Sequence, residues 1–254
     1  MILDQFKLNG KIALVTGAST GLGAAIAVAL AEAGADVIAH GNSRDPVETC
    51  DEIAATGRRA AGVRGDLADP EAPQRLIDAA VKQFGKIDIL VNNAGTIKRS
   101  PAVDFTDEDW ATVLEVNLSS VFRMCRLAGR LMIDRGEGGK IINIASLLSF
   151  QGGITVPAYA ASKGGVAQLT KALANEWASR GVNVNAIAPG YMRTNNTAAL
   201  QADENRNRQI LERIPANRWG VPEDLAGAAV FLASNASSYV NGHIMLVDGG
   251  WMGR

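Results

Sequence analysis

The chain has 254 residues, 47% of them apolar and 20% charged, with a formal net charge of −1. That composition excludes a disordered chain, and the even charge balance excludes a general attraction to nucleic acid or anionic lipid. Two cysteines, Cys50 and Cys125, show no paired or metal-binding spacing, which fits free thiols in a reducing compartment. The first residues, MILDQFKLNGK, have no apolar run of a secretion signal, and no window approaches the length of a membrane span. A soluble cytoplasmic protein is expected.

In chain order, short apolar runs rich in β-branched residues alternate with longer helical patterns. Residues 12–16 form the first run, followed by a glycine-rich turn and a helical stretch over 24–33. Runs at 36–39 and 59–64 precede a second helix over 70–84. A run at 87–92 leads into a helical region after Thr106. Residues 140–144 precede a helix over 158–180, and the last runs are 182–188 and 243–247. The runs are nearly continuous in apolar residues, as strands covered on both faces require. Their alternation with helices predicts an α/β protein: one Rossmann-type domain over 1–254, with a doubly wound parallel sheet of about seven strands. Residues 195–214 are more polar than their surroundings and read as a mobile helical insertion able to cover a site.

Two short patterns carry chemistry. After the first strand, Thr16-Gly17-Ala18-Ser19-Thr20-Gly21-Leu22-Gly23 opens a helix. Glycines there let the backbone turn tightly and approach a pyrophosphate, which the free N–H groups of the helix start would bind. The glycine spacing is GxxxGxG rather than GxGxxG. Further on, Tyr159 and Lys163 lie four residues apart and share a helix face. A cation near a phenol favours the phenolate and fits it for proton exchange with an alcohol or carbonyl. Taken alone, such a pair is more often an ordinary surface neighbour. Ser146, however, follows a buried strand at the end where open α/β sheets bind ligands. His40 and His243 read as structural or exposed residues, with no second metal ligand nearby.

The segments TGASTGLG (16–23), NNAG (92–95), Asn117, Ser146, YAASK (159–163) and PGYMRT (189–194) together resemble the short-chain dehydrogenase/reductase family over nearly the whole chain. The resemblance implies an NAD(P)-dependent oxidoreductase acting on CH–OH groups. It makes Tyr159 the acid/base and Lys163 the group that lowers its pKa and contacts the nicotinamide ribose. It has Ser146 orient the substrate oxygen and Asn117 support a water relay. It assigns the cofactor to Gly17, Ser19, Thr20, Gly21, Leu22 and Gly23, the adenine to Asp66 and Leu67, and neighbouring contacts to Asn93, Ala94 and Gly95. Pro189, Gly190, Met192 and Thr194 close the nicotinamide end. It also implies a homotetramer, with the helix over 158–180 at one interface.

The later segments SLLSFQGG (146–153), APGYMRTNNT (188–197), RIPANRWG (213–220) and YVNGHIMLVDGGW (239–251) resemble the family's sugar-acid branch, implying a deoxy-keto-sugar acid of uronate catabolism as substrate. Such a ligand calls for cations and hydrogen-bond donors. Candidates are Lys98, Arg99, Gln151, Asn195 and Asn196, with Arg99 facing the carboxylate; Arg193 and Arg218 read instead as surface or interface ion pairs. For the cofactor, alignment puts Gly41 where NAD-specific members carry an acid. The glycine is expected to leave room for a 2′-phosphate met by Asn42, Ser43 and Arg44, so that NADP(H) is accepted alongside or ahead of NAD(H). Two alternatives stay open: a 3-oxoacyl-carrier-protein reductase or other carbonyl reductase, and a dinucleotide-binding protein without catalysis.

Overall fold

In the computed structural model, which describes residues 1–254, seven strands form one parallel sheet in the order β3-β2-β1-β4-β5-β6-β7. They are β1 (Ile12–Val15), β2 (Asp36–Gly41), β3 (Ala60–Arg64), β4 (Ile89–Asn92), β5 (Gly139–Ile144), β6 (Val182–Pro189) and β7 (Ile244–Val247). Each expected strand is present, shifted by no more than two residues at either end. β1 pairs with both β2 and β4, so the chain winds outward in two directions from β1. That reversal opens a crevice beyond the carboxyl ends of β1 and β4, where open α/β sheets take ligands.

Nine α-helices are present: α1 (Gly21–Glu32), α2 (Val47–Ala55), α3 (Ala72–Phe84), α4 (Asp107–Leu114), α5 (Ser120–Arg135), α6 (Pro157–Trp177), α7 (Ala198–Ala202), α8 (Glu204–Arg213) and α9 (Ala226–Ala233). Ile26 and Leu30 of α1, Ile53 of α2 and Leu232 of α9 join Val15, Val37 and Val91 in a core on one face of the sheet. On the other face, Ile77 of α3, Met124 and Met132 of α5 and Leu173 of α6 pack on Leu14, Leu90 and Val184. Both faces are therefore dry, which explains why the strands are continuously apolar. The polar segment over 195–214 forms α7 and α8. Ile210 and Ile214 anchor it in a third, smaller core with Leu147, Trp219 and Trp251.

One polar line crosses the middle of the sheet. The register pairs Asn92 with Asn143. Asn92 Nδ2 donates to Asn143 Oδ1 at 2.9 Å, and Asn143 Nδ2 donates to the Thr170 hydroxyl on α6 at 3.0 Å. All three side chains are buried, so each bond removes the cost of a desolvated polar group. The line ties β4, β5 and α6 into one block below the crevice. Asn143→Ala removes both bonds and leaves Asn92 with only the weak Cys125 Sγ acceptor at 3.2 Å and Thr170 with only the Val166 carbonyl at 2.8 Å; urea unfolding is expected to show a loss of about 2–3 kcal/mol.

Candidate active site

A cleft of about 830 Å³ fills the crevice. Its first wall is the glycine-rich turn. Gly17 has φ +64°, and a Cβ there would lie 2.8 Å from Ala94 Cα, so only glycine fits. The Thr16 hydroxyl accepts the N–H groups of Asn93 and Ala94, each at 3.0 Å, while Asn93 Nδ2 donates to the carbonyls of Thr16 and Gly17 at 2.9 Å. The NNAG segment thus staples the turn to the end of β4. No side chain caps the N-terminus of α1, which leaves its first N–H groups and the positive end of its dipole to an anion.

His40 completes this wall. Buried at the end of β2, its Nδ1 accepts the Gly17 N–H at 3.2 Å and its Nε2 donates to the Gly65 carbonyl at 2.9 Å. That pattern requires the neutral ring. Burial holds its pKa below the usual histidine value, while the Gly65 carbonyl and the Asp66 charge act in the opposite direction. Beside it, Asp66 Oδ1 accepts the Ala68 N–H at 3.0 Å and Asn42 Nδ2 at 3.3 Å. Asn42, Asp66 and Leu67 line the end of the cleft nearest β2 and β3.

The opposite wall is built by α6 and the end of β5. Tyr159 and Lys163 project side by side, with Lys163 Nζ 5.6 Å from the phenol ring centre. Lys163 is 5% exposed, and its ammonium donates to the Ile144 carbonyl at 2.6 Å. With so little water near it, its pKa falls to about 8. The Tyr159 phenol is shifted upward by burial, against the pull of the Ser146 hydroxyl and the Arg99 charge. Burial thus outweighs the two groups that act against it, Ser146 and Arg99. Ser146 Oγ accepts the Leu148 N–H at 3.1 Å, which leaves its hydroxyl proton to donate elsewhere.

Asn117 sits in a single π-helical turn, Glu115–Ser119, between α4 and α5. Its side chain bridges both backbone groups of Thr96 at 2.8 Å and donates to Ser162 at 3.2 Å. It holds the cleft wall at Thr96 and does not itself line the cleft.

Of the residues expected at the site, Gly17, Thr20, Gly21, Leu22, Asn42, Asp66, Leu67, Asn93, Ala94, Gly95, Tyr159, Lys163, Thr194, Asn195 and Asn196 line the cleft. Others stand behind it. A Cβ on Gly23 would meet the Gly17 carbonyl at 2.2 Å, and one on Gly190 would meet Asp248 Cα at 2.6 Å, so these glycines serve close packing. Met192 is buried against Gly220, and Pro189 ends β6. The substrate candidates are largely engaged. Lys98 pairs with Asp109 at 3.3 Å, Arg99 donates to the Asn196 carbonyl at 3.2 Å, and Gln151 Oε1 takes Arg213 and the Trp251 indole at 3.4 Å each. Arg218 is an ion pair with Asp224, as expected.

The segment after β2 differs from expectation in a definite way. Arg44 turns outward to Glu48 at 2.7 Å, and Ser43 does not line the cleft. Gly41 leaves no open gap. A Cβ there would lie 2.1 Å from the Arg44 carbonyl and 2.4 Å from Ser19 Oγ, because the chain folds back over the glycine. Ser19 donates to that same carbonyl at 2.7 Å, while Arg64 binds the Asn42 carbonyl at 3.2 Å and Asp45 at 3.2 Å. The sequence reading missed His40, Ala68, Thr96, Thr112, Val116, Ile144 and Arg193, all of which line the cleft. A histidine as the last apolar-flanked residue of a strand running to the ligand edge was the available signal for His40. Adjacency to Thr194 was the signal for Arg193.

A glycine cradle, an uncapped helix start, an acid beside the β3 end and a half-buried tyrosine beside a buried lysine define a dinucleotide-dependent oxidoreductase fold. Residues 17–252 match the family model described as Enoyl-(Acyl carrier protein) reductase, and the chain belongs to the short-chain dehydrogenase/reductase family, which uses NAD(P). It is 57% identical over 253 residues to a 2-dehydro-3-deoxy-D-gluconate 5-dehydrogenase of Bacillus subtilis, covering 99% of this chain and 98% of that one. It is 55% identical to the protein of the same name from Dickeya dadantii, over the full length of both. Among solved structures, a gluconate 5-dehydrogenase from Burkholderia cenocepacia in complex with NADP and tartrate superposes with a TM-score of 0.93 at 40% identity, covering both chains completely.

The packing at residue 41 makes a specific prediction. Gly41→Asp introduces the acid that NAD-specific sites use, yet it must displace the Arg44 carbonyl and Ser19. Fluorescence titration is expected to show weaker binding of both NADH and NADPH by the variant; a gain in NADH affinity would mean that the loop yields freely.

Proposed function

We propose that the protein interconverts a hydroxyl and a ketone on a deoxy-keto-sugar acid of the 2-dehydro-3-deoxy-D-gluconate type, in uronate catabolism, with NADP(H) or NAD(H). The observation that carries this is the half-buried Tyr159 beside the buried Lys163, facing the glycine cradle across one cleft. The full-length likeness to 2-dehydro-3-deoxy-D-gluconate 5-dehydrogenases supports the substrate, and the NADP in a related structure supports the cofactor.

Gly17, Thr20, Gly21 and Leu22 hold the pyrophosphate, Asp66 and Leu67 the adenosine, and Thr194 the nicotinamide end. The nicotinamide, when bound, supplies or accepts the hydride. The protein supplies position and a proton. Tyr159 gives its phenolic proton to the substrate oxygen during reduction and takes it back during oxidation. Ser146, its own oxygen fixed by the Leu148 N–H, donates to that same oxygen and stabilises the developing negative charge. A phenol shifted upward by burial is a poor base on its own. The Lys163 ammonium and the Arg99 guanidinium favour the phenolate and so offset the burial that opposes it.

Arg99 anchors the substrate carboxylate, exchanging the Asn196 carbonyl for a charged partner. Asn195 and Asn196 meet the hydroxyls. Asn117 acts through Thr96, setting the wall along which a water relay passes. Asn195 and Asn196, just ahead of α7, bring the start of the polar segment to the edge of the cleft.

The same reading makes the protein a cytoplasmic homotetramer. Apolar side chains left at the surface, Phe122 on α5, Leu246 on β7 and Tyr239, support interfaces there. No helix is long and apolar enough to cross a membrane.

Replacing Tyr159 with Phe separates catalysis from binding. kcat for reduction of the keto acid is expected to fall by about 10²–10⁴-fold, while NADPH titrates as in the wild type. Turnover equal to wild type would remove Tyr159 as the acid, and loss of NADPH binding would make it a structural residue.

A further inference from the structure

Three charged side chains line the cleft: Asp66, Lys163 and Arg193. Asp66 is held by Asn42 and Ala68, and Lys163 is buried against the Ile144 carbonyl. Arg193 alone has no carboxylate in ion-pair range and no side-chain hydrogen bond. This is not a property of its neighbourhood. Arg213 lies 4.1 Å over the Trp251 ring and reaches Gln151, and Arg218 clasps Asp224 with both nitrogens. Of the expected surface or interface ion pair, the surface one is absent: within the chain, no acid meets Arg193.

Its backbone, in contrast, is fixed. Arg193 N–H donates to the Gly220 carbonyl at 2.8 Å, next to a parallel bridge between Met192 and Gly220. The following residue is held as firmly, since Thr194 N–H donates to Thr197 Oγ1 at 3.1 Å. This segment passes over the start of α1: Thr194 Cγ2 lies 3.9 Å from the position a Cβ on Gly21 would take. Arg193 therefore belongs to the wall facing the uncapped first turn of α1, where free N–H groups already await an anion. A guanidinium without a partner, carried on a rigid backbone opposite such a helix start, is half of a binding site for a doubly charged phosphoanhydride.

We propose that Arg193 closes the cleft over the pyrophosphate of the bound dinucleotide, giving the anion a charged donor from the wall opposite the glycine turn. This rests on the dinucleotide reading above and adds a contact that the glycine-rich turn does not supply. The pyrophosphate is common to NAD(H) and NADP(H), so Arg193 strengthens both and distinguishes neither. The Arg193 side chain is exposed and makes no hydrogen bond or ion pair within the chain, so its removal is expected to leave the fold undisturbed.

The test compares wild type with Arg193→Gln, using calorimetric titration of ADP-ribose and 2′-AMP together with fluorescence titration of NADH and NADPH. ADP-ribose has the pyrophosphate without the nicotinamide; 2′-AMP has the 2′-phosphate without the pyrophosphate. The expected result is a Kd raised about tenfold for ADP-ribose, NADH and NADPH alike, with 2′-AMP unchanged and a shallower salt dependence in the variant. Weakening confined to NADPH and 2′-AMP would overturn the proposal in favour of a 2′-phosphate contact. A change seen only in KM for the keto acid would overturn it in favour of a substrate contact. Wild-type binding of ADP-ribose with no change in the variant would overturn this inference alone. A wild-type protein that bound no ADP-ribose would overturn the functional reading with it.

Discussion

The bond from the Lys163 ammonium to the Ile144 carbonyl, 2.6 Å long and shielded from water, is the interaction on which the site depends. A buried ammonium is costly unless it is hydrogen-bonded. Here the bond comes from the last residue of a central strand, so the cation is fixed relative to the sheet and not to a loop. Everything below it serves that position. The Asn92–Asn143–Thr170 line locks β4, β5 and α6 together, and α6 carries both Lys163 and Tyr159. The remaining attraction of the ammonium, unmet by any carboxylate, is directed at whatever oxygen enters the cleft.

The two walls of the cleft are held by different physics. On the α6 side, an ammonium and a phenol are held where burial shifts the protonation of both. On the glycine side there is almost no charge. Backbone groups do the binding, and neutral side chains (Thr16, Asn93 and His40) hold the turn open at a spacing no Cβ would permit. A charged His40 would lose the Gly17 bond, and burial keeps it neutral. The cofactor thus enters a slot that is rigid on one side and electrostatically poised on the other, with Arg193 as the unpaired cation between them.

Much of this was legible in the sequence. Continuous apolar strands, helices between them and the motif positions fixed the sheet, the cleft and the Tyr–Lys pair. The segment over 195–214 was correctly read as helical. The loop side chains expected to meet a ligand share one feature. Arg44, Lys98 and Gln151 were chosen for their chemistry and their nearness in sequence to the site, but a polar side chain on a loop is claimed by the nearest partner: Glu48 takes Arg44, Asp109 takes Lys98, and Arg213 with Trp251 takes Gln151. Glu48 lies only four residues from Arg44, whereas Asp109, Arg213 and Trp251 come from distant segments that no local pattern predicts. Arg193 was misjudged in the opposite direction, since the absence of a partner is visible only in three dimensions. Gly41 shows a third limit: its missing side chain makes room for the chain itself and not for a ligand.

The account stands most directly on the substrate. The measurement that tests it is kcat/KM for NADPH-dependent reduction of the 2,5-diketo-3-deoxy acid obtained by oxidising 2-dehydro-3-deoxy-D-gluconate at C5, set against an acetoacetyl thioester under the same conditions. The account predicts that the sugar acid is favoured by at least about 10²-fold, because an Arg99-anchored carboxylate and paired hydroxyls are interactions the thioester cannot replace. A preference for the thioester, or equal rates with both, would contradict it.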